Sequence, residues 1–168
     1  NISHSRLTIV QGDAFNKDQV AQAINGHDAV VSCLASSNGM KKSTELQEMI
    51  ENIVAGMKLH GIKRIIYTAS AGVHNELTGV SGKLVMMMLK NALTDHRAAV
   101  DCILANELIY TIVRPMGLTN DAFTGQYRES NSNVPTNARS IPRADVAHFI
   151  IKALQDEQYF NTSVGIAS

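Results

Sequence analysis

Four groups of residues are of types that carry chemistry: Asp13 behind Gly12, Ser70 within Ala69-Ser70-Ala71-Gly72, the Asp95-His96 pair, and His74 near Glu76. A serine, a histidine and an acid could serve acyl transfer. That chemistry wants a strained G-x-S-x-G turn, and residues 68–72 read T-A-S-A-G. Metal chemistry needs three or four converging ligands. His74 and Glu76 lack a third, and the remaining histidines show no ligand spacing, so no metal is expected. Alcohol–ketone chemistry through a Tyr-x-x-x-Lys phenol is also disfavoured, because Tyr67, Tyr110, Tyr127 and Tyr159 have no lysine four residues on. Taken singly, Asp13 reads as a turn or cap residue, Ser70 as a strand-end hydroxyl, and His96 as a solvated histidine in an exposed helical turn.

The elements that must position these residues alternate along the chain. Leu7-Thr8-Ile9-Val10 is a β-branched run stopped by Gly12-Asp13. Asn16 and Gln19 form a capping box for a helix whose face is Val20, Ala21 and Ile24, closed by Gly26. Asp28 to Leu34 does not alternate and reads as a fully buried strand. Ser43 or Thr44 opens a second helix with Leu46, Met49, Ile50, Ile53, Val54 and Met57 inward. Arg64 to Thr68 is a strand, and the run from Leu84 leads into a long helical region reaching about Ala105. Tyr110 to Val113 is a strand stopped by Arg114-Pro115. Pro142 sits near the first turn of a last helix, with Val146, Phe149, Ile150 and Ala153 inward, and Ser163 to Ala167 is a final strand. This order predicts an α/β domain, doubly wound around a mostly parallel sheet, with ligands bound beyond the carboxyl ends of the strands. The loops at those ends are Gly12–Phe15, Ala35–Gly39, Ala69–His74 and Pro115–Asp121.

Composition narrows the partners. Fifteen basic residues balance fifteen acidic ones, so no long-range field recruits nucleic acid or an anionic membrane. The longest apolar stretch, Leu84 to Leu89, is far too short to span a bilayer. Cys33 and Cys102 have no redox or metal spacing and read as buried free thiols in a reducing, cytoplasmic compartment. A dinucleotide could still be held by backbone amides at a helix end. That grip needs a glycine-rich turn, and neither GxGxxG nor GxxGxxG occurs here. Either no dinucleotide binds, or the unit that grips it precedes Asn1.

Four ordered blocks bear on that choice: Gly12–Val31 (GDAFNKDQVAQAINGHDAVV), Asn52–Ala71 (NIVAGMKLHGIKRIIYTASA), Thr94–Pro115 (TDHRAAVDCILANELIYTIVRP) and Phe123–Leu154 (FTGQYRESNSN…RSIPRADVAHFIIKAL). Together they cover nearly the whole chain. They resemble the atypical short-chain dehydrogenases, an NAD(P)-binding Rossmann-like group that includes NmrA-like proteins, and are most similar to its biliverdin-IXβ reductase (NADPH-dependent flavin reductase) branch. The resemblance implies an opening strand, glycine-rich turn, helix and second strand before Asn1, so that the first β-α-β unit is lacking here. It implies that Asp13 and Ala14 lie beside the adenine and that Leu34, Ala35 and Ser36 run along the cofactor. Ala69 and Ser70 would border the nicotinamide, with Ser70 matching an active-site serine. Pro115, Met116, Gly117 and Leu118 would close over that ring, and His96 would stand at the substrate mouth. A second family histidine, after the proline, is Met116 here.

These readings give an NADPH-dependent reductase, NADH not excluded, that passes hydride directly to flavin or a similar flat conjugated acceptor. The alternative is a non-catalytic, NmrA-like dinucleotide sensor that binds a protein partner; oligomeric state is open. In the order expected for this fold, the Leu7 and Asp28 strands would be separated by two others and would not pair directly.

Overall fold

The computed structural model describes residues 4–168; Asn1 lies outside them. The first element is helix α1 (Lys17–Ile24), started by Asn16, whose side chain accepts from the amides of Asp18 and Gln19. The Gln19 carboxamide reaches back to the amide of Asp13 at 2.8 Å, past Asn16, so the capping box clamps the turn before the helix. Strand β1 (Ala29–Ser32) follows, then helix α2 (Glu45–Leu59) and strand β2 (Arg64–Thr68). The long helical region expected up to Ala105 is two helices, α3 (Gly79–Met88) and α4 (Lys90–Leu104), joined at Leu89.

Strand β3 runs from Ile109 to Pro115, longer than expected, because Arg114 and Pro115 continue the ladder to its neighbour. Three short strands follow, β4 (Gly117–Thr119), β5 (Arg128–Ser130) and β6 (Ser140–Pro142), then helix α5 (Arg143–Gln155) and strand β7 (Thr162–Ala167). The three short strands carry no sequence pattern long enough to announce them.

The main sheet has the order β1-β2-β3-β7-β5, parallel except for β5, and β4 pairs with β6 in a separate two-stranded ladder. Period-two alternation splits the core between its faces. Ile65, Tyr67 and Ile112 point toward α2 and α4, whereas Ile66, Val113 and Val164 point toward Phe149 and Ile150 of α5. Burial of side chains such as Ile50, Met57 and Ile65, each 0% exposed, stabilises the fold by about 1.5–3 kcal/mol apiece. Helices α1 and α2 pack closely because Gly56 has no side chain; a Cβ there would stand 3.2 Å from the Ala21 Cα.

Two expectations need correction at the start of the chain. Leu7–Val10 belongs to no strand, and Leu7, Ile9 and Val10 are exposed. Nor is β1 fully buried: it is the edge of the sheet, shorter than Asp28–Leu34, and Val31 is 41% exposed. The two segments do not pair. Val10–Ala14 and Val30–Leu34 line a single groove of about 630 Å³, floored by α1. With no neighbouring strand to accept its hydrogen bonds, an apolar run such as Leu7–Val10 has nothing to order it as a strand. The edge also exposes Cys33, expected to be buried; Cys102 is half-buried.

Candidate active site at the carboxyl end of the sheet

Successive tips meet as neighbours. Asp13 shares the groove with Cys33 and Leu34. The Cys33 thiol lies 3.4 Å from the Thr68 hydroxyl at the end of β2. Beyond it the Ala69 amide donates to the Val113 carbonyl at 2.8 Å and the Ala71 amide to the Pro115 carbonyl at 3.0 Å. Residues 13, 33–34, 68–71 and 113–115 therefore form one continuous rim.

Each sequence-derived residue has a definite place on it. Asp13 is exposed, and its carboxylate accepts from the Phe15 amide at 2.9 Å, as a turn residue does. Ala14 is half-buried, and the Asn52 carboxamide of α2 holds its carbonyl at 3.0 Å. Leu34 and Ser36 are half-buried and Ala35 is exposed. Ala69 is buried; Ser70 is half-buried, and its hydroxyl donates to the Ala71 carbonyl at 3.2 Å. Pro115 ends β3. Met116, Gly117 and Leu118, expected as a loop, are held by the Met116 amide on Ile166 O and the Gly117 amide on Arg139 O, and Gly117–Thr119 is strand.

His96 departs most from its expected setting. It is half-buried, and its Nδ1 lies 2.7 Å from the Tyr67 hydroxyl. Burial drives its pKa down to about 4 against the opposing pull of Asp95. Burial, then the Asp95 charge, raise the Tyr67 phenol above its ordinary range. Asp95 is buried as well: its carboxylate accepts from the Leu46 and Gln47 amides at 3.2 and 3.1 Å. It caps α2 from 48 and 49 residues away, a role for which Ser43 and Thr44 were the local candidates. Ser43 keeps a smaller part, its hydroxyl accepting from the Glu45 amide at 3.0 Å.

Two charged clusters stiffen the rim. Glu45 gathers the tip after β1: its carboxylate accepts from the Ser36 hydroxyl, the Ser37 amide and hydroxyl, and the Asn38 carboxamide, at 2.6–2.8 Å. The Ser36 and Ser37 hydroxyls hold its pKa below the usual value. Behind the tip after β2, the fully buried Arg114 guanidinium pairs with Glu76 at 2.6 Å and reaches Ser163. Burial acts to raise the Glu76 pKa, but backbone amides and Arg114 outweigh it and leave the carboxyl below its usual range.

Neither Glu45 nor Arg114 is a candidate from sequence; Glu76 enters there only as a metal ligand beside His74, and Tyr67 only as a phenol without its lysine. A phenol in Ile65-Ile66-Tyr67 was the available signal, since a buried tyrosine must spend its hydroxyl. The arginine after Ile112-Val113 was a second, misread as a strand stop.

A cofactor's rings fit this rim better than its phosphates do. Ala35 and Ser70, small and not buried, leave rim backbone open to a flat ring, whereas Ala69 and Ala71 are buried and the Arg139 carbonyl fills the space beside Gly117. The Asp18 and Gln19 amides of α1, however, are already taken by Asn16, and the first three amides of α2 by Ser43 and Asp95. These two helices therefore offer a pyrophosphate a much reduced grip.

A mostly parallel sheet flanked by helices, with its candidate site along the carboxyl rim, defines a Rossmann-like nucleotide-binding domain. The chain belongs to the NAD(P)H-binding family, whose sequence model matches residues 1–157. Solved structures agree on the fold. A short-chain dehydrogenase/reductase from Veillonella parvula DSM 2008, in complex with NADP, superposes with a TM-score of 0.83 at 24% identity, over 98% of this chain and 74% of that one. A Rossmann-fold NAD(P)-binding family protein from Shigella flexneri gives 0.72 at 26% identity, over 95% and 69%. ChuY, an anaerobillin reductase from Escherichia coli O157:H7, gives 0.69 at 21% identity, over 92% and 72%. Among the described residues no helix is long and apolar enough to cross a membrane.

Proposed function

We propose that this chain is the acceptor-side part of an NADPH-dependent reductase that transfers hydride to flavin or a similar flat conjugated molecule. The observation that carries the proposal is the unbroken rim from Asp13 through Cys33 and Thr68 to Ser70 and Pro115, with the Tyr67–His96 couple beside it. The NADP bound by the Veillonella neighbour supports the choice of cofactor, and ChuY, an anaerobillin reductase, supports a reductase with a small-molecule acceptor.

When bound, the reduced nicotinamide supplies the hydride, so the protein's task is to stack two rings and exclude water. In this reading Leu34, Ala35 and Ser36, fixed by Glu45, lie along the cofactor, and Asp13 and Ala14 border its adenine. Ala69, Ser70, Pro115 and Met116 flank the nicotinamide, while Gly117 and Leu118 cover it. His96 faces the acceptor as a neutral ring. The open edge of β1 and the groove beside it have the shape of a berth for further strands. Chain packed there is where the phosphate grip belongs in this proposal.

The test is NADPH oxidation followed with FMN added, using the longest natural chain that contains these residues. Neither turnover nor cofactor binding would reject the proposal. One observation favours the dinucleotide-sensor reading: α3 is apolar yet exposed at Val80, Leu84, Val85, Met87 and Met88, a face suited to a protein partner. Cofactor binding without turnover across flavins, quinones and enals would select it.

A further inference from the structure

Tyr67 is completely buried among Ile65, Val100 and Ile103, and its hydroxyl makes one hydrogen bond among the described residues, to His96 Nδ1 at 2.7 Å. Two proton arrangements satisfy that distance. If Nδ1 carried the proton and donated to the phenol oxygen, the buried O–H would be left with no acceptor, a costly orphan. If the phenol donates, its only proton is spent, Nδ1 accepts, and the ring's own proton must sit on Nε2. Nε2 has no hydrogen-bond partner among the described residues, and His96 is half-buried rather than sealed.

We propose that Tyr67 is a positioning residue that holds His96 in the Nε2–H tautomer, so that a neutral imidazole presents one N–H to the acceptor. The neighbouring charged side chains make no hydrogen bond to the ring. The Asp95 carboxylate is spent on the α2 amides, and the Arg97 guanidinium turns to the Val73 carbonyl and the Asn75 side chain. Packing on the 69–77 loop fixes the helix that carries the ring: Leu93 fills the space above Gly72, and Arg97 Nε donates to the Val73 carbonyl at 2.9 Å. Burial also favours an uncharged ring.

The role toward an acceptor rests on the reductase reading; the tautomer does not. The experiment therefore has two arms. In protein labelled with ¹⁵N-histidine, long-range ¹H–¹⁵N correlations at neutral pH should show His96, assigned from its loss in His96→Gln, with an unprotonated Nδ1 and a protonated Nε2. In Tyr67→Phe, which keeps the packing, that preference should collapse into a mixture or reverse. A protonated Nδ1 in the wild type, or an unchanged pattern in Tyr67→Phe, overturns the proposal. In the second arm Tyr67→Phe should lower kcat for the acceptor about three- to tenfold, the worth of one misdirected hydrogen bond, with the KM for NADPH unchanged. A kcat equal to wild type would refute the role toward acceptor. If the wild type itself turns nothing over, the reductase reading fails and the spectrum still decides the tautomer.

Discussion

Glu76→Ala should be the most damaging single change near the site that leaves the hydrophobic core intact. It deletes the carboxylate facing Arg114, whose side chain is 1% exposed, and strands a guanidinium inside the protein. Breaking a buried pair by removing one partner costs about 3–5 kcal/mol. Arg114 keeps oxygen partners in Ser163 Oγ and in the carbonyls of Ser163, Ser130 and Asn133, which places the cost near the lower end. At about 2–4 °C per kcal/mol for a chain of this size, the midpoint should fall by about 6–12 °C. The second ion pair, Lys152–Glu129 at 2.9 Å, is the internal control, with side chains 42% and 27% exposed. Lys152→Ala should cost only about 0–1 kcal/mol, because water and salt screen that pair.

Thermal unfolding by circular dichroism compares the two variants directly, and equal shifts would refute the assignment of weight to burial. Acid adds a second check. The Glu76 carboxyl sits below its unfolded value, so the unfolded chain takes up the proton first. Its contribution is complete above the ordinary glutamate range and drains away as pH falls beneath it. The gap between wild type and Glu76→Ala should therefore narrow in acid; a gap that widened would contradict the sign.

Four further outcomes are expected. Asp95→Ala uncaps α2 and should cost about 2 kcal/mol, with hydrogen exchange quickening at the Leu46 and Gln47 amides; protection retained at both would exclude the cap. Glu45→Ala frees the Ser36–Asn38 tip and, on the reductase reading, should weaken NADPH binding about tenfold, or 1.4 kcal/mol, by calorimetry. Gly165→Ala would place a Cβ 2.4 Å from the Asn133 carbonyl and should cost about 1–3 kcal/mol in urea unfolding; a neutral result would mean that this loop yields freely. Finally, with burial pushing His96 down to about 4, activity on the reductase reading should show no inflection from this ring between about pH 5.5 and 8.5. Stability should fall as pH drops from the ordinary histidine range toward that value, since the unfolded ring protonates first, and His96→Gln should flatten the decline.

The sequence by itself determined the α/β architecture and the tips that follow β1 and β2. Short non-alternating runs such as Ile65-Ile66-Tyr67, and helical spacing such as that of Leu46 to Met57, leave one economical arrangement: a parallel sheet between helices with its rim at the strand ends. Those signals are local, so they survive without knowledge of neighbours. Only the tertiary structure decided what each rim residue meets. Asp95 and His96 sit next to each other in an unremarkable helical stretch, yet one caps α2 and the other pairs with Tyr67, contacts made across 48 and 29 residues. The fate of Leu7–Val10 was equally out of reach, since a strand exists only where a partner edge lies within hydrogen-bonding distance. Sequence periodicity encodes which face of an element is apolar; it does not encode which polar atom waits opposite, because that depends on how separate elements are brought together.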